Sequence, residues 1–135
     1  MKTPVLSFLF VLLFINAKAH SKDSTISYPI VVKFQSSCCG VPEETLLRKA
    51  IKKFKKKQHL KYIASYHIGP MGREGEYIVA FPLLEMKQKQ QLSFINIIKK
   101  TVPLLKNKGY AEYEQYFSRN LSALPTRATI TKLNY

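Results

Sequence analysis

The hydrophobic pattern changes period several times between residues 30 and 133, and that order of changes restricts the fold more than any other feature. Ile30-Val31-Val32-Lys33-Phe34 is β-branched and apolar, bounded by Pro29 and the Ser36–Gly40 loop, and reads as a first strand. From Pro42 the spacing turns helical. Glu43, Glu44 and Thr45 open the helix. Leu46, Leu47, Ala50, Ile51 and Phe54 form its apolar face, and Lys49, Lys52, Lys53, Lys55, Lys56 and Lys57 fill the other. Leu60–Ile68 and Glu76–Phe81 read as strands joined by the turn Gly69-Pro70-Met71-Gly72-Arg73-Glu74-Gly75. Glu85–Leu105 is a second helix with Leu92, Ile95 and Ile98 on its apolar stripe, ended or kinked by Pro103. Tyr110, Tyr113, Phe117 and Leu121 are spaced like one face of a short third helix, broken by Pro125. Ala128–Leu133 alternates as a last strand.

The predicted order is β-α-β-β-α-(α)-β in one α+β domain over residues 30–135. This is the split, or ferredoxin-like, plan: an antiparallel sheet with helices on one face, here with a short extra helix before the last strand. In that plan the first and third strands are neighbours. The Cys38–Cys39 loop, the 69–75 loop and the segment 106–127 then gather at the end where the first strand finishes, and a site is expected there.

Before the domain, residues 1–19 have the form of a cleavable signal peptide. Lys2 precedes an apolar run of 11 residues, Val5–Ile15, and Ala17-Lys18-Ala19 supplies small residues at −3 and −1. A spanning helix needs about 20 apolar residues, so no transmembrane segment is expected after cleavage. The chain is therefore read as exported, periplasmic or secreted, with residues 20–29 as a flexible lead-in. Cleavage would leave His20 as the new N-terminus, able to chelate copper. The formal charge of +14 falls to about +12 when Lys2 and Lys18 leave. A surface so basic attracts anionic lipid, acidic polymer or phosphate. Tyr62, Tyr66, Tyr110, Tyr113 and Tyr116 form no nucleic-acid-binding consensus, and export argues against nucleic acid as the routine partner.

Cys38 and Cys39 are adjacent in a loop ahead of a helix. Neighbouring Cα atoms lie about 3.8 Å apart, closer than ordinary bridges allow, so the pair is not a fold staple. A nearby helix N-terminus would favour thiolate, and soft thiolates select copper(I) or zinc. A thiol loop between first strand and first helix resembles the heavy-metal-associated domains. That family carries C-x-x-C there, whereas this chain has Cys38-Cys39 followed by Gly40, Val41 and Pro42. The resemblance implies a soft-metal site at Cys38 and Cys39, with Met71 as a thioether candidate. Arg73, Lys52, Lys53 and Lys56 are the candidate anion contacts. Gly40, Gly69, Gly72 and Gly75 shape the loops with Glu74, through positive φ at the turn glycines. No G-x-S-x-G elbow or metal-binding histidine spacing occurs; a thiol enzyme would want a Cys–His pair, and the topology could bring Cys39 close to His67. Three readings follow. The first is a small binding module taking a soft metal or thiol ligand. The second is a thiol oxidoreductase using the vicinal pair. The third is an electrostatic binder using the lysine-rich helix.

Overall fold

The structure is a computed structural model that describes residues 24–135. The signal segment 1–19 and His20 lie outside the described residues. The chain forms an α+β fold with a five-stranded antiparallel sheet and two helices. In chain order these are β1 (Thr25–Ser36), α1 (Thr45–Lys57), β2 (Ala64–Gly69), β3 (Tyr77–Phe81), α2 (Gln88–Thr101), β4 (Gly109–Asn120) and β5 (Thr129–Asn134). Strand order across the sheet is β4-β1-β3-β2-β5.

Two expectations need correction. The expected third helix is strand β4, which pairs with β1 along its whole length from Ser36↔Gly109 to Thr25↔Asn120. β1 also starts at Thr25, so residues 25–29, read as lead-in, belong to the sheet. Both follow from one cause: the first strand carries unpaired backbone groups on the side away from β3, and an aromatic-rich segment satisfies them as a ladder.

Each helix has a local reason to stop where it does. α1 ends in a Schellman turn: His59 takes the left-handed conformation at φ 53°, its amide bonds to Lys56 O, and Leu60 N bonds to Lys55 O at 3.1 Å. α2 begins where Gln90 Oε1 accepts from Lys87 N at 3.0 Å, and its regular turns end at Thr101 before a short 3-10 turn containing Pro103. The two helices cover one face of the sheet. Ile30, Val32, Phe34, Val79 and Phe81 meet Leu47, Ile51, Phe54, Phe94 and Ile98 there, and the Phe94 ring stands edge-on to Phe54 at 5.3 Å and Phe81 at 5.2 Å.

The opposite face is not bare. Val31, Ile68, Ile78, Ala80 and Phe117 form a second buried cluster, joined by Ile26, Tyr28, Tyr66, Met71 and Leu124. Strict alternation would send Tyr28 to the helix side with Ile30. The phase instead flips at Pro29, which falls opposite Tyr116, a residue at φ 56°, between the pairs Tyr28↔Phe117 and Ile30↔Gln115. Both strands turn over together, so Tyr28 and Phe117 join this second face. Residues 121–128 then cross it from one edge strand to the other, with Leu124 packed beneath and Leu121 N bonded to Ser24 O at 2.9 Å.

Candidate functional site

The register fixes which loops share an end. β1 finishes at Ser36 beside Gly109 of β4, β3 starts at Tyr77 opposite Phe34, and β2 finishes at Gly69 beside Thr129 of β5. The Cys38–Cys39 loop and the 69–75 loop therefore lie at one end, called here the loop end. The segment 106–127 does not gather there as expected. Only its first residues do, before β4 leads the chain away, and Arg127 returns to donate to Gly72 O at 2.6 Å.

Cys38 and Cys39 are exposed free thiols whose sulfurs share a hydrogen bond at 2.9 Å. Gly40, at φ 108°, makes the turn that follows, and its amide bonds to Ser36 Oγ at 3.2 Å. The Cys38 pKa is raised, first by the hydrogen bond with Cys39, then by desolvation and by the Glu74 carboxylate. α1 opens only at Thr45, six residues beyond Cys39. His67 stacks on Tyr77 at 4.4 Å on the helix-facing side, while Cys39 bonds to Cys38. Among the described residues no three His, Cys, Asp or Glu side chains converge as a metal cage.

In the 69–75 loop only Gly75 has positive φ, at 84°. Gly69 is small for another reason, since a Cβ would stand 2.8 Å from Tyr77 Cβ. At Gly72 the obstacle is the Glu76 carboxylate, which accepts from Glu74 N at 3.0 Å. Met71 packs into the second apolar cluster, so its thioether serves packing there. It also borders a cavity of about 200 Å³ with Lys33, Gln35, Glu76, Ile78 and Arg119. Arg73 and Glu74 are exposed.

The helix layer has a different character. Of the chain's 22 Lys and Arg residues, ten lie in α1 and α2, and none of its eight Asp and Glu residues does. Lys49, Lys52, Lys53, Lys56 and Lys57 of α1 and Lys89 and Lys100 of α2 are exposed. Among the described residues the ion pairs are Lys33–Glu114 and Arg48–Glu44, so no lysine of either helix has a carboxylate partner. Of the described acids, Glu43, Glu44, Glu74 and Glu76 sit at the loop end, Glu112 and Glu114 on β4, and Glu85 ahead of α2, where it accepts from Ala64 N at 2.8 Å.

A half-buried polar cluster has no signature in the sequence. Glu44, at the start of α1, accepts from Tyr135 Oη at 3.4 Å, holds Arg48 at 2.7 Å and bonds to the Tyr77 hydroxyl. Burial, then Glu44, pushes both tyrosine pKa values well up. Arg48 also lies over the Tyr135 ring at 5.4 Å. This group ties α1 to β3 and to the chain beyond β5. Nothing in local spacing marks it, because its members are 33 and 58 residues apart. Arg119 was missed because its segment reads as a helix; it lies over Phe117 at 5.6 Å, with Lys33 at 5.9 Å from the same ring.

No protein-family model, curated protein or solved structure matches the chain. Among the described residues no helix is long and apolar enough to cross a membrane.

Proposed function

We propose that this chain is an exported, non-enzymatic binding module on a ferredoxin-like scaffold, whose helix layer holds an anionic polymer or surface. The observation that carries the reading is the segregation of charge: ten cationic side chains and no acid on two adjacent helices. A lysine near an anionic surface contributes about 1 kcal/mol at physiological salt, so even a fraction of this set gives firm association. Export rests on the signal-like pattern of residues 1–19. The scaffold assignment is supported by the central β1–β3 pairing and the order β4-β1-β3-β2, to which β5 adds a further strand at the β2 edge.

The test is retention on a sulfated polysaccharide resin. Lys52→Glu, Lys53→Glu and Lys56→Glu together are expected to abolish retention. An equal charge change away from the helices, at Arg73, Lys108 and Lys132, is expected to lower it only modestly. Equal losses from the two triples would reduce the effect to net charge and remove the helix layer as the site.

The thiol contact favours a second reading. Two exposed sulfurs 2.9 Å apart can chelate one thiophilic ion, copper(I) or zinc, with further ligands from solvent or a partner. Ligation stabilises the fold by mass action, about 2.7 kcal/mol at a hundredfold excess over Kd. A thermal shift with copper(I) or zinc, lost in Cys38→Ser and in Cys39→Ser, is the expected result. No shift in the reduced protein would end this reading.

A further inference from the structure

Exposed leucines interrupt the cationic layer: Leu92 stands alone on α2, and two others stand together. Leu46, in the first turn of α1, is 47% exposed, and Leu104, just beyond α2, is 66% exposed. Leu46 of α1 and Leu104 of the 3-10 turn after α2 line one recess of about 310 Å³, with Glu43, Leu105, Lys106 and Asn107. Leu46 is in line with Lys53 and Lys57, seven and eleven residues on, so the leucine and the lysines share one flank of α1. A soluble polyanion satisfies lysines but offers nothing to an exposed leucine. An anionic bilayer satisfies both, with headgroups at the ammonium groups and acyl chains below them.

We infer that the partner of the helix layer is an anionic lipid bilayer, with Leu46 and Leu104 inserted at its surface. This rests on the helix layer being the binding surface. The lysines supply long-range attraction that salt screens, and the leucines supply an apolar anchor that salt does not screen.

The experiment uses co-sedimentation with phosphatidylcholine vesicles, with and without phosphatidylglycerol, beside retention on the sulfated resin. The wild-type protein is expected to bind the phosphatidylglycerol vesicles and not the neutral ones. Leu46→Ser with Leu104→Ser is expected to weaken vesicle binding about tenfold while leaving resin retention intact. Leu84→Ser is the control: that residue is 88% exposed but borders Tyr62, Tyr66 and Lys132 instead, and its loss is expected to change neither readout. Thermal melts check that the three proteins are equally folded. Vesicle binding unchanged in the double variant would overturn the inserted leucines, and resin retention without vesicle binding would assign a soluble polyanion in place of lipid. Loss of both in the wild-type protein would overturn the underlying reading itself.

Discussion

At position 109 there is no room for a methyl group, because a Cβ would sit 2.0 Å from Gln35 O and 3.1 Å from Gly40 O. Both obstacles are backbone, so neither can swing aside. Gly109→Ala is expected to cost about 1–3 kcal/mol, read as a lower urea midpoint with unchanged slope. An unchanged midpoint would mean that the β1–β4 ladder opens more easily than its pairing suggests. The Glu44 cluster makes a second residue-scale prediction. Burial and Glu44 hold the Tyr77 and Tyr135 hydroxyls above their ordinary value of 10.0. Above that pH the unfolded chain loses protons that the native state keeps, so stability is full below about pH 10 and falls as pH rises further. Urea midpoints should be flat through neutral pH and decline in alkali, with a shallower decline in Tyr77→Phe and Tyr135→Phe. A decline of the same steepness in both variants would place its cause elsewhere.

At the scale of elements, β4 shows what sequence reading could reach and what it could not. α1, β2, β3, α2 and β5 lie close to where periodicity puts them, because each keeps one period from end to end. β4 does not. Tyr110, Tyr113 and Phe117 have helical spacing by coincidence, and the alternation that marks a strand is broken at Tyr116, where φ is 56°. The partner that makes it a strand, β1, is about 80 residues away in sequence, and no local pattern carries that information. The loop end was legible in part. Cys38, Cys39 and the 69–75 loop do share it, since strand order alone fixes their end. Met71 turns to the apolar cluster because a buried face was waiting for it. The strain at Tyr116 is testable. The side chain is 84% exposed, so Tyr116→Gly removes little packing and relieves about 1–2 kcal/mol of left-handed strain, offset partly by unfolded-chain entropy. Stability should hold or rise. Tyr113→Gly, in the regular part of the strand, should instead cost about 1 kcal/mol.

For the molecule as a whole, the two faces of the sheet differ in kind. One carries helices whose charged side chains are all cationic, and the other is closed by the flipped ends of β1 and β4 and by residues 121–128. The lysine face of α1 was legible from spacing alone. That α2 adjoins it, and that no carboxylate among the described residues pairs with these lysines, required the tertiary structure. The most direct test of the cationic helix layer is the salt dependence of affinity for a linear sulfated polysaccharide, compared between the wild-type chain and Lys52→Gln, Lys53→Gln, Lys56→Gln. If these side chains touch the polymer, each releases a counterion on binding, and the slope of log K against log salt should fall by about 2–3 in the triple variant. A slope that stays at the wild-type value would show that the polymer binds elsewhere, and would contradict the helix layer as the binding surface.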